Sequence, residues 1–130
     1  MNKKQNYALV FDMDETLGNF SQLYRIWSLI KIYLSKSDLD YKYFYSIIDN
    51  FPLFLRPNIL VLLKNIKQKK LNGLCDYVMI YTNNNGPNEW ANLIKSYFHH
   101  KLKYNLFDQI IRAFKINGKQ IEICRTSHNK

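Results

Sequence analysis

Cysteine is scarce in this chain. There are two, Cys75 and Cys124, far apart and in no CxxC pair. The simplest reading is a reduced, intracellular protein, cytoplasmic or nuclear. Glycine (4) and proline (3) are also few, and no linker, internal repeat or low-complexity tract interrupts the chain. Long apolar runs are missing too. No stretch approaches the roughly 20 residues that a membrane-spanning helix needs. The N-terminus is basic (Met1-Asn2-Lys3-Lys4), but the apolar run after it stops at Asp12, too early for a signal peptide. Acid is in deficit: 10 Asp and Glu face 19 Lys and Arg, a formal net charge of +9. A basic surface favours phosphate esters, phosphopeptides or nucleic acid. Solubility alone is the plainer reading, and an AT-rich coding bias would inflate Lys, Asn, Ile and Tyr in the same way.

What is present is enough for one domain of 130 residues with a real core, since 47% of residues are hydrophobic and 15% aromatic. Residues 6–12 are apolar up to Asp12 and read as a strand covered on both faces. Residues 20–34 are apolar nearly all round and predict a helix, capped by Asn19 or Ser21. Asp40 is placed to cap a second helix running to about Ile48, so residues 19–52 form a helical insertion. Pro57 suits the first turn of a third helix, with an apolar stripe at Ile59, Leu62, Leu63 and Ile66. Lys64, Lys67, Lys69 and Lys70 are expected to face away or to complement its last turn, and Asn72-Gly73 to end it.

Residues 76–82 read as a second strand, 83–87 as a loop, and Trp90, Leu93, Ile94, Tyr97 and Phe98 as the apolar face of a fourth helix. Gln109–Phe114 and Gln120–Arg125 read as strands flanking a tight turn at Asn117-Gly118. The aromatics of residues 20–54 are expected in the core rather than in a base-stacking platform. His99, His100 and His128 form no ligand pattern and are expected to be solvated. Both cysteines read as core or inert thiols.

The chemistry concentrates in Asp12-Met13-Asp14-Glu15-Thr16. A strand that ends in acid, skips one residue and gives acid again delivers two carboxylates to the carboxyl edge of a sheet. Ligands bind at that edge in open α/β folds. The plain alternative is a polar strand end or a helix cap. Gly18 is expected to let the chain turn just after this segment.

Asp12-Met13-Asp14-Glu15-Thr16 resembles motif I, DxDxT, of the haloacid dehalogenase superfamily of hydrolases. Glu before Thr is similar to the branch that contains the phosphatases of the RNA polymerase II C-terminal domain. Arg56-Pro57, the strand ending at Thr82-Asn83 and the Asn-Gly hairpin near residue 117 fit the same branch. The resemblance covers most of residues 7–130. It implies an α/β, Rossmannoid three-layer fold with a mainly parallel sheet. It implies a core of 1–18 and 53–130, and 19–52 as a small helical cap-like insertion. It also implies a Mg²⁺-dependent phosphatase working through an aspartyl-phosphate. Asp12 would be the nucleophile, Asp14 the general acid and base, and both would serve the metal. Thr82, Asn83, Thr16 and Arg56 would bind the phosphorylated substrate, a phosphoprotein in that branch.

Two features depart from the family pattern. The insertion reads as helical where the branch has a β-rich flap, so the phosphoprotein substrate does not carry over directly. No acid follows Glu122, where the family needs a Lys and then a strand ending in acid; Lys130 is the motif III Lys by position, with Lys119 and Lys115 behind it. The expectation is therefore an incomplete sheet, truncated C-terminally, with its first strand left unpaired at an edge. A partner that completes the sheet and an inactive relative remain open. So do two other functions: a non-catalytic module for phosphopeptides or acidic partners, and a nucleic-acid end phosphatase.

Overall fold

The computed structural model describes residues 6–34, 41–82, 88–112, 115–116 and 119–120. The architecture is α/β. Strand β1 (Ala8–Asp12) leads through helices α1 (Phe20–Tyr33) and α2 (Tyr41–Asn50), a 3₁₀ turn (Pro52–Phe54) and α3 (Ile59–Leu71) to β2 (Tyr77–Thr82). Then come α4 (Asn88–Leu102) and β3 (Gln109–Arg112), followed by the short pieces β4 (Lys115–Ile116) and β5 (Lys119–Gln120). The sheet order is β1-β2-β3-β4-β5. The first three strands are parallel, with Asp12 opposite Tyr81 and Thr82 opposite Arg112. β4 and β5 run antiparallel, Lys115 opposite Gln120. The antiparallel pair is thus formed by residues 115–116 and 119–120, not by the expected strands 109–114 and 120–125; residues 113–114, 117–118 and 121–125 lie outside the described ones. No helix among the described residues is long and apolar enough to cross a membrane.

The strand order differs from the expected three layers in one respect. Each crossover advances one strand in the same direction, and right-handed connections then put α3 and α4 on the same face. The two helices pack against each other. Burial follows: Val78, Ile80 and Thr82 of β2 are buried, while Tyr77 is 52% exposed and Met79 and Tyr81 are half-buried. Among the described residues the helices cover one face of the sheet. β1 lies at the edge of the described sheet and is not covered on both faces, since Leu9 and Val10 are exposed and Phe11 only half-buried.

One hydrophobic cluster holds the helices to the sheet. Its aromatic centre joins three helices. Trp27 of α1 meets Phe44 of α2 edge-on at 5.3 Å, and Phe44 meets Trp90 of α4 at 5.4 Å. Edge-to-face pairs of this kind contribute about 0.5–1.5 kcal/mol each beyond the area they bury. Phe20, Trp27 and Phe44 are therefore core, as expected, and the insertion helices share the cluster of the sheet.

The helix ends depart from expectation. Asn19 precedes α1 without a side-chain bond into it. Asp40 lies outside the described residues. Pro57 sits in the turn before α3, not in its first turn, and Asn58 enters the helix in the left-handed conformation (φ 64°). The stripe of α3 is Ile59, Leu63 and Ile66; Leu62 is 47% exposed. The far end of α3 matches: Gly73 (φ 74°) follows Asn72, and its N–H donates to the Lys70 carbonyl while Leu74 N–H donates to that of Lys69. That double bond pattern needs a left-handed residue, which glycine adopts without strain. Lys69 and Lys70 lie in the last turn, as expected, but Lys67 does not face away. Lys67 Nζ donates to the Leu102 carbonyl at 2.8 Å, satisfying the end of α4.

Candidate functional site

β1 delivers Asp12 to the carboxyl edge of the sheet, and the chain then closes into a tight loop. Met13 and Leu17 are fully buried and anchor it, and Leu17 N–H donates to the Met13 carbonyl at 3.0 Å. Glu15, in the left-handed region at φ 63°, donates its N–H to the Gly18 carbonyl at 2.8 Å. Asp12 Oδ1 accepts the Met13 N–H at 2.9 Å, which orients that carboxylate. Asp12, Asp14 and Thr16 are half-buried, and Oδ1 of Asp14 is buried. The alternation that sinks Met13 leaves the acids flanking it at the rim.

Gly18 is required for a reason other than turning. Its φ is not positive; instead its Cα packs against the 52–54 turn, where a Cβ would collide with the Phe54 carbonyl oxygen. Gly18 also bridges to both Asp14 and Leu55. The loop is further held by Asn19 N–H to the Phe54 carbonyl at 2.7 Å and Arg56 N–H to the Leu17 carbonyl at 3.1 Å.

Thr82 ends β2 with 1% exposure, one residue past the partner of Asp12. Paired residues of parallel strands share a face, and neighbours alternate. Asp12 therefore goes with Tyr81 on the open face, and Thr82 with Ile80 on the helix-covered face. The two residues share an edge of the sheet, not a face. Opposite Thr82, and on its face, stands Arg112 at the end of β3. The sequence reading placed residue 112 inside a longer strand and missed it. Its signal was a cation at the end of the strand next to the threonine, visible only once the strand order is known.

The remaining expected residues are less concentrated. Arg56 lines a cavity of about 420 Å³ with Glu15, Asn19 and Leu53, and neither Asp12, Asp14 nor Thr82 lines that cavity. Asn83 and Lys130 lie outside the described residues. Lys115 and Lys119 lie in β4 and β5, where Lys115 pairs with Arg112. Among the described residues no three of His, Cys, Asp and Glu converge as a metal-ligand group. Asp12 and Asp14 alone still fit Mg²⁺, which holds to hard oxygens, keeps several waters and leans on one or two carboxylates plus a substrate phosphate.

No family model, curated protein or solved structure matches this chain.

Of the two described histidines expected in solvent, His100 is exposed and His99 is packed. His99 is half-buried, stacks on Phe107 at 5.8 Å, and accepts the Phe107 N–H at Nε2 at 3.0 Å. Burial and the nearby charge of Lys95 push its pKa down to about 4. His100 stacks on Tyr45 at 4.9 Å. Cys75 is buried, as expected of an inert core thiol, and Cys124 lies outside the described residues.

Proposed function

We propose that this chain is a phosphomonoester hydrolase of the haloacid dehalogenase type. The observation that carries the reading is the pairing of β1 and β2. Asp12 and Thr82 end adjacent parallel strands, and Asp14 follows within a closed, anchored loop. In the proposed reaction an oxygen of Asp12 attacks phosphorus, and the bond from phosphorus to the ester oxygen breaks. Asp14, protonated, gives its proton to the departing alkoxide. It then takes a proton from water, which attacks the phosphoryl group and releases phosphate and free Asp12. The Thr82 hydroxyl and the Arg112 guanidinium are suited to the phosphoryl oxygens, whose charge grows as the bond breaks. Mg²⁺, held by the Asp12 carboxylate and the Asp14 backbone carbonyl, would offset the repulsion between carboxylate and phosphate. Thr16, half-buried in the same loop, is a further candidate to meet the phosphate. A phosphoprotein substrate remains the branch's suggestion.

The test is hydrolysis of p-nitrophenyl phosphate by the whole chain with and without Mg²⁺, beside Asp12→Asn. Turnover that needs Mg²⁺ and vanishes in Asp12→Asn is expected. Equal turnover in the variant would remove Asp12 as nucleophile. A folded chain that binds phosphate but turns nothing over would favour the non-catalytic phosphate-binding module.

A further inference from the structure

Away from the Asp12 loop, a groove runs between α2 and α4. It holds about 620 Å³ and is lined by Tyr41 and Tyr45 of α2 with Glu89, Leu93, Ser96 and His100 of α4. The positions are i and i+4 on one helix and i, i+4, i+7 and i+11 on the other, so each helix gives one continuous stripe. The two tyrosine rings lie 5.3 Å apart at 56°, and His100, itself exposed, stacks on Tyr45. Tyr45 is 8% exposed, whereas Tyr41 is 53% exposed, so one ring forms a wall and the other a movable side.

The charge at this groove runs against the rest of the chain. In a protein of net charge +9, the lining carries one carboxylate, Glu89, and no lysine or arginine. In the last turn of α4, Lys101 Nζ lies 2.8 Å from Asp49 Oδ1. The Asp49 carboxylate also accepts the Tyr97 hydroxyl at 2.9 Å, which holds α2 and α4 at a fixed separation. Aromatic faces and one carboxylate, mounted on helices tied together, suit a cation with an apolar body. The ring quadrupoles attract its charge, and its methyl groups bury against Leu93 and the rings.

We infer that the α2–α4 groove is a binding site for a quaternary-ammonium group, carried by a small molecule or by a methylated lysine side chain. The site is independent of the Asp12 reading, and phosphatase activity plays no part in its test. Titration calorimetry of the whole chain with choline, and with its uncharged isostere 3,3-dimethylbutan-1-ol, measures it. Choline should bind with a millimolar Kd, and the isostere about fivefold more weakly or worse, the size expected of a partly exposed cation–π contact. Glu89→Gln and Tyr41→Ala should each weaken choline several-fold. Both positions are exposed, and an unchanged Tm will show that the fold is kept. A trimethyllysine peptide that binds more tightly than choline assigns the group to a protein partner; a weaker one assigns it to a free small cation. No saturable choline binding to folded protein, equal binding of the isostere, or unaltered binding by both variants overturns the site.

Discussion

The Lys70 ammonium lies 2.7 Å from both carboxylate oxygens of Asp108, and Oδ2 of the same carboxylate accepts the Val78 N–H at 2.9 Å. One side chain thus joins the last turn of α3, the segment before β3 and the buried strand β2. Lys70 also donates to the Leu106 carbonyl at 3.0 Å. Asp108→Ala leaves the Val78 N–H in a buried strand without its acceptor, which costs about 1–3 kcal/mol. Urea unfolding should show that loss, and an unchanged midpoint would mean another acceptor takes over. Partial burial raises the Asp108 pKa, but the Lys70 bond, the Val78 N–H and the Lys70 charge outweigh it, and the net value falls below 3.8. The stability this carboxylate adds is present above that pH and disappears as pH falls through its lower native value.

His99 predicts a second, separate pH effect. Its native pKa of about 4 lies below the ordinary 6.5, so between those values the unfolded chain binds a proton that the native chain refuses. Stability is therefore full above 6.5 and declines as pH falls towards 4. The loss is on the order of 2 kcal/mol after solvent screening of a half-buried group. Urea midpoints at pH 7 and pH 5 measure it. His99→Gln should flatten the profile in this window; a profile still as steep would assign the effect to another group.

Gly18→Ala tests the close approach of the loop to the 52–54 turn. The new Cβ meets a backbone oxygen, which cannot rotate away, and overpacking of this kind costs about 1–3 kcal/mol. A fall in Tm is expected. Gly73→Ala, where a Cβ meets nothing but φ is 74°, should cost less, about 1 kcal/mol. If Gly18→Ala proves the milder of the two, the loop is not held as described.

Arg112→Gln and Thr82→Val test the proposed phosphate contacts. Removing the guanidinium should raise KM for p-nitrophenyl phosphate about tenfold, the effect of one charge-assisted hydrogen bond. Thr82→Val conserves shape in a buried site, so a lowered rate with a nearly unchanged Tm would separate chemistry from folding. Unaltered kinetics in both variants would put phosphate elsewhere on the edge.

What could be read from residue order is what depends on near neighbours. The apolar run before Asp12, the 3.6-residue spacing of Trp90, Ile94, Tyr97 and Phe98, and Asn72-Gly73 after α3 each carry their cause within a few residues. Hence the element types and most of their bounds were legible, as was the placing of Asp12 at the end of the first strand. Leu62 and Pro57 were misread because a stripe or a breaker has tolerance of a residue or two, and only the packing of α3 decides which side wins.

Tertiary structure alone decided the rest, because the relevant partners are distant in sequence. Strand order put the helices over one face of the described sheet; no local pattern distinguishes a strand buried on two faces from one buried on part of one. The pairing of Asp12 with Tyr81 set which groups share a face, and the pairing of β2 with β3 brought Arg112 beside Thr82. Lys67, Lys70 and His99 looked like surface residues because their partners lie in other segments: Leu102, Asp108 and Phe107. A sequence specifies where apolar surface recurs along one element. Which polar groups that burial then strands, and which distant side chain must answer them, is settled only when the elements meet.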